Sequence, residues 1–144
     1  MENNIPNRFY RTSAKALILN EARDKFLIVQ EEDGKWELPG GGIDWGETAH
    51  ECLTREVLEE MNVPVTWISP TASYFLTWEK KEAKPFWVAN VFYETEVEHL
   101  NFTPSDECIA YEFVSKENFG DRASYPNVPL LLDMFDPERH ARSK

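Results

Sequence analysis

The stretch that most constrains this chain is residues 37–63, ELPGGGIDWGETAHECLTREVLEEMNV, where three consecutive glycines lead into a helix with carboxylates on its apolar face. Thr48 followed by Glu51 forms a capping box, each side chain bonding to the other residue's backbone amide, so the helix start is well marked. Asn62 tolerates the left-handed backbone that follows a helix, and Pro64 cannot continue it. At about 100° per residue, Ala49, Cys52, Leu53 and Val57 gather on one arc, the face expected to meet a sheet. Glu56 and Glu60 project into the middle of that arc, with Glu59 at its edge. Buried unpaired carboxylates are costly and repel one another, so this end of the helix must reach water or hold cations. The alternative is a helix end jutting into solvent, with Arg55 making ordinary surface pairs to Glu51 and Glu59. Clustered carboxylate oxygens without His or Cys favour hard cations, Mg²⁺ or Mn²⁺. The glycines that precede the helix, Gly40, Gly41 and Gly42, let backbone amides approach an anion closely near a helix start. Phosphate and metal are thereby expected in one cleft.

Composition narrows the partners. The 144 residues suit one domain spanning 1–144, with 42% hydrophobic and 28% charged residues in the ordinary globular range. The 26 acidic and 15 basic residues leave a formal charge of −11, which argues against a long nucleic-acid partner. A small anionic ligand stays compatible, because a bound divalent cation inverts the local sign of an acidic cleft. The longest apolar runs are too short to span a bilayer, and the first residues carry no apolar signal region, so no membrane partner and a cytoplasmic location are expected. Cys52 and Cys108 have no metal-ligand spacing and read as buried small hydrophobes rather than a bridge.

Along the chain, TSAKALILN and KFLIVQEE read as two core strands joined by a short turn, and WEL as a brief strand before the glycines open a loop. Thr48 to Met61 has the length of a real helix. TASYFLTWE and PFWVANVFYETEV flank KKEAK as an antiparallel hairpin, and CIAYEFV makes a last strand. NVPLLLDMF supplies a capping Asn127, an early proline and Pro137 as the stop of a terminal helix. Residues 1–7 and 138–144 are expected to fray. This irregular alternation predicts an α/β fold with a mixed sheet covered by helices.

Residues 41–63 resemble the signature of the Nudix hydrolases, the MutT-like family. Gly41, Glu47, Arg55 with Glu56, Val57, Glu59 with Glu60, and Val63 fall at the signature's spacing. Asn62 alone departs from it, standing where the signature has glycine, and asparagine keeps the left-handed geometry at modest cost. The resemblance implies the family's α/β/α sandwich and a pyrophosphohydrolase acting on a nucleoside diphosphate derivative. It implies that Glu56, Glu59 and Glu60 bind Mg²⁺ or Mn²⁺ with the Gly41 carbonyl, and that Arg55 orients rather than reacts. Glu47 is then either an auxiliary carboxylate or half of a structural ion pair. Relatives add an acidic residue before the last strand, for which Glu107 is first choice and Asp106 and Glu112 are rivals. Metal ions would clamp the diphosphate and acidify a water for attack on phosphorus. Glu59, Glu60 or Glu107 could take the proton. A homodimer is a further possibility that the family raises.

Trp36, Trp45, Tyr74 and Trp78 could stack on a base or lie in the core, Trp45 in the glycine loop being the best stacking candidate. Nucleoside triphosphates, nucleotide sugars and ADP-ribose all stay open as substrates. Two rival functions use the same fold: a nucleotide sensor without turnover, and an isoprenoid diphosphate isomerase. The complete Arg-Glu and Glu-Glu set argues against the first, and the second needs a catalytic cysteine. GxSxG, HExxH and the P-loop motif do not occur.

Overall fold

Strands β1 (Tyr10–Leu17) and β2 (Phe26–Gln30) leave the turn between them in different sheets. In this computed structural model, which describes residues 9–142, only one bridge, Leu19 to Phe26, joins their ends. The reason is burial on both faces of β2: Phe26 and Ile28 enter one apolar cluster while Leu27 and Val29 enter the other, a two-sided demand that a simple hairpin cannot meet. β2 lies between β3 (Trp36–Glu37) and β8 (Ala110–Val114), all antiparallel.

The larger sheet has the order β4-β1-β7-β5, with β4 at Gly40–Gly42, β5 at Val65–Ile68 and β7 at Phe86–Val97. β1 and β7 run parallel over their whole overlap, and every other pair is antiparallel, so the sheet is mixed as expected. β6 (Tyr74–Lys80) and β5 both pair with β7, β6 from Phe86 to Phe92 and β5 from Thr95 to Val97. The β6–β7 hairpin matches the sequence reading. The glycines do not: Gly40–Gly42 are a strand, paired to Ser13, Ala14 and Lys15, rather than a loop.

Helix α1 (Ala49–Met61) buries Cys52, Leu53, Val57 and Met61 with Ala14, Ala16, Leu27 and Val29. Each large side chain so removed from water is worth about 1.5–3 kcal/mol, so a charge at Val57 would unseat the helix. The second cluster, built on Phe26, Phe92, Trp78 and Leu131, packs α3 (Asn127–Met134) against β6. Short helix α2 (Lys116–Phe119) buries Phe119 beside it. Asn127 does not cap α3, since Pro126 holds the cap position and Asn127 is fully buried within the first turn.

The C-terminal residues correct a second expectation. Residues 1–7 lie outside the described residues, but Pro137–His140 form a 3₁₀ turn instead of fraying. His140 is buried, stacks on Phe135 and shares a 2.8 Å hydrogen bond between Nε2 and the Tyr74 hydroxyl. Burial lowers its pKa, against the pull of Glu94. Tyr74 and Glu94 lie far back in the chain, where a local pattern cannot reveal them.

Candidate active site

The front of the larger sheet floors a cleft of about 430 Å³. Its acidic end forms where α1 passes the β4 edge. Thr48 Oγ1 accepts from the Glu51 amide at 3.1 Å and Glu51 Oε1 from the Thr48 amide at 3.0 Å, so the predicted capping box starts the helix. Asn62 ends it with φ 55° and ψ 37°, its amide donating to the Leu58 carbonyl. Between these ends Glu60 is only 7% exposed, Glu56 is half-buried and Glu59 is exposed.

Two glycines let the carboxylates reach the front. A Cβ at Gly41 would come within 2.6 Å of Glu56 Cδ, and one at Gly40, where φ is 128°, would overlap the Ala14 carbonyl. A strand without side chains is therefore a bare rail across which Glu56 lies. The Gly40 amide donates to Glu60 Oε1 at 3.1 Å. Burial pushes the Glu60 carboxyl well above the usual range, opposed chiefly by Lys15, while Glu56 and Glu107 reinforce the rise.

Lys15, which sequence reasoning passed over, is buried beside this group. Its ammonium donates to the Leu38 and Gly40 carbonyls at 3.4 Å each and lies 3.5 Å from Glu37. The available signal was a lysine between Ala14 and Ala16 in the otherwise apolar second half of β1. Glu31 and Glu37 also line the cleft, as do Asp106 and Glu107. Glu112 does not, because Arg122 holds it elsewhere. Burial, with Glu37 and Asp33 nearby, raises the pKa of Glu31.

Arg55 ties the outer carboxylates together. Its Nε and Nη2 donate to the two Glu47 oxygens at 2.8 and 2.9 Å, and Nη1 donates to Glu56 at 2.9 Å and Glu59 at 3.4 Å. Of the two readings of Glu47, the geometry is that of the ion pair. Arg55 brings its pKa down to about 2, helped by the Asp44 amide. Cys52 places its thiol 3.3 Å from the Gly41 carbonyl, and burial pushes it up to about 11. Both cysteines are free and buried in the α1 cluster.

The other end of the cleft is aromatic and cationic. Trp78, Phe86 and Tyr125 line it with Arg11 and Lys80. The Arg11 guanidinium sits 4.0 Å from the Phe86 ring centre, and Lys80 sits 5.4 Å from that of Tyr125. Of the four aromatics singled out in the sequence, only Trp78 lines this space. Tyr74 is core, Trp36 lies under Arg122, and Trp45 is fully exposed away from the cleft. A glycine loop suggested proximity for Trp45, but with Gly40–Gly42 paired to β1 and Ile43 packed on the α1 cluster, Trp45 stands in solvent.

Among the described residues no three His, Cys, Asp or Glu side chains close into a ligand set, and both Glu56 and Glu59 accept from Arg55. The donor chemistry nonetheless suits a hard cation. Six carboxylates line the cleft against three basic side chains, and two of them, Glu37 and Glu60, are buried. The Glu59 contact to be released is an exposed one, of little energetic weight.

Comparison with known proteins places this architecture. A Bacillus subtilis (strain 168) candidate 8-oxo-dGTP diphosphatase is 41% identical over 51 residues, covering 35% of this chain and 34% of that protein. The matched segments thus span about a third of the length of such relatives. The crystal structure of a MutT protein from Methanosarcina mazei Go1 superposes with a TM-score of 0.67 at 26% identity, over 94% of this chain and 99% of that one. That of an ADP-ribose pyrophosphatase from Streptococcus suis 89-1591 gives 0.64 at 25% identity, over 94% and 95%. No helix among the described residues is long and apolar enough to cross a membrane. The NUDIX domain model matches residues 9–132, the span that carries both sheets, the carboxylate helix and the cleft, and the chain belongs to the NUDIX domain family.

Proposed function

We propose that this chain is a Mg²⁺- or Mn²⁺-dependent pyrophosphohydrolase that cleaves the diphosphate linkage of a nucleoside diphosphate derivative. The observation that carries this reading is a single cleft joining a buried carboxylate end to an aromatic, cationic end. Glu56, Glu59, Glu60 and the Gly41 carbonyl would hold the cation. When bound, it neutralises the diphosphate and makes a water more acidic. The backbone of Gly40 to Gly42 offers the phosphates close approach along β4, and Trp78, Phe86 and Tyr125 offer the base a stacking surface. Arg55 keeps Glu47 and Glu56 in place and does not react. Glu107 lines the cleft rim without an ion pair among the described residues, and we assign it the proton. The water oxygen bonds to phosphorus, the bridging P–O bond breaks, the water's proton passes to Glu107, and a phosphate-bearing product leaves.

The named activities of the relatives favour nucleoside triphosphates and ADP-ribose as classes to try first. The isomerase reading loses support because Cys52 and Cys108 face the core, with thiols pushed up to about 11. A test incubates the protein with nucleoside triphosphates, nucleotide sugars and ADP-ribose, with Mg²⁺, with Mn²⁺ and without metal. Metal-dependent release of phosphate, pyrophosphate or two monophosphates identifies the substrate branch. Binding without turnover on the whole panel would overturn the hydrolase reading and select the sensor.

A further inference from the structure

Midway along the cleft floor stands a side chain the proposed chemistry does not use. Asn90, on β7, lines the cleft between Ser13 of β1 and Leu76 of β6, yet it is fully buried. Its Oδ1 accepts two hydrogen bonds, from Trp78 Nε1 at 2.7 Å and from Asn127 Nδ2 at 3.0 Å. Its Nδ2, like the Oδ1 of Asn127 further from the cleft lining, has no hydrogen-bond partner among the described residues. The Trp78 indole, which can only donate, fixes the amide's orientation, because flipping it would set the NH₂ against that N–H. A buried donor without an acceptor is destabilising, so one kept at a cleft wall has a ligand atom as its natural partner. Asn127 does not line the cleft and acts by holding Asn90 in place.

We propose that Asn90 determines base specificity, donating from Nδ2 to a ring carbonyl oxygen of the nucleotide and favouring keto bases over amino bases. The inference rests on the reading of the cleft as a nucleotide site. Trp78, which anchors Oδ1, also lines the aromatic end, so the donor lies where a stacked base would present its edge. Guanine, hypoxanthine and uracil carry a carbonyl oxygen where adenine and cytosine carry an exocyclic NH₂, which would meet the Asn90 NH₂ donor to donor.

The test measures kcat/KM with Mg²⁺ for ITP against ATP and for UTP against CTP. In parallel, affinities for IDP and ADP are measured by tryptophan fluorescence, a readout independent of turnover. Asn90→Asp keeps an acceptor for Trp78 and Asn127 but removes the donor, and Asn90→Ser serves if the aspartate does not fold. Wild-type protein is expected to favour the keto member at least about tenfold, and the variant to lose or reverse that preference while still cleaving nucleotides. Equal use and equal binding of keto and amino nucleotides by the wild type would overturn the proposal. So would a preference that survives in a folded variant. Selective binding of IDP without turnover would sustain the role of Asn90 and bring down only the hydrolase reading.

Discussion

Glu56 and Glu60 stand one turn apart on α1, yet they belong to two different electrostatic regions. On the outer side, Glu56 shares Arg55 with Glu47 and Glu59, and each carboxylate there touches a fixed guanidinium. On the inner side, Glu60 is buried and faces Lys15, whose ammonium is already shared with Glu37 and two carbonyls. The outer carboxylates are compensated from within the protein by Arg55, a pairing that Glu56 and Glu59 would exchange in part for the proposed cation. The inner one is under-compensated, with its pKa raised by burial, and a cation supplied from solution would complete it. A helix can thus carry ion-paired and under-compensated carboxylates in one run, the difference being set by which basic side chain each one meets.

The strongest way to break this contrast is Glu60→Gln. It should keep the fold and lose Mg²⁺-dependent turnover by about 10³-fold or more, while its melting temperature without metal is unchanged or higher because a neutral amide replaces a carboxyl whose charged form burial disfavours. Wild-type turnover in that variant would sink the inner-site assignment. Gly41→Ala comes next, since its Cβ would press on the Glu56 carboxylate. A shift of that kind predicts a loss of about 10²-fold in kcat/KM with the overall fold intact by circular dichroism.

A pH experiment sharpens the outer half. Glu47 ionises near 2 in the folded protein against an ordinary 4.5, so its pair with Arg55 stabilises the fold fully above pH 4.5. That contribution is lost as pH falls toward 2. Thermal melts at stepped pH should show this loss in the wild type and its absence in Glu47→Gln; parallel curves would contradict it. The smallest effect is expected for Asn62→Gly. Glycine relieves the left-handed strain at φ 55°, so stability should change by no more than about 1 kcal/mol, and Mn²⁺ affinity, measured by electron paramagnetic resonance, should not move. A changed affinity would mean that Asn62 does more than end the helix.

The helix and its caps were legible because every signal lies within a few residues: Thr48 and Glu51 bond to each other, and Asn62 and Pro64 close the same segment. The β6–β7 hairpin was legible for the same reason. The error at Gly40–Gly42 came from reading three glycines as a loop, when pairing with β1 satisfies their backbone and the missing side chains serve Glu56. Asn127 offered good cap chemistry, but a partner on β7 drew it into the interior. Trp45 shows the reverse failure, since nearness in sequence to the glycines did not become nearness to the cleft.

By itself the sequence determined the family signature, the mixed α/β architecture and the carboxylates at the end of α1, all of which rest on short-range periodicity and local hydrogen bonds. Only the tertiary structure decided which carboxylates are neutralised and which are not, because Arg55 reaches Glu59 by helix spacing whereas Glu47, Lys15 and Glu37 join the cluster through packing. It also decided the aromatic end, where Phe86, Trp78 and Tyr125 converge from separate segments, and the buried amide of Asn90 among them. Contacts of that kind depend on how two sheets cross, and no local pattern in the chain encodes the crossing.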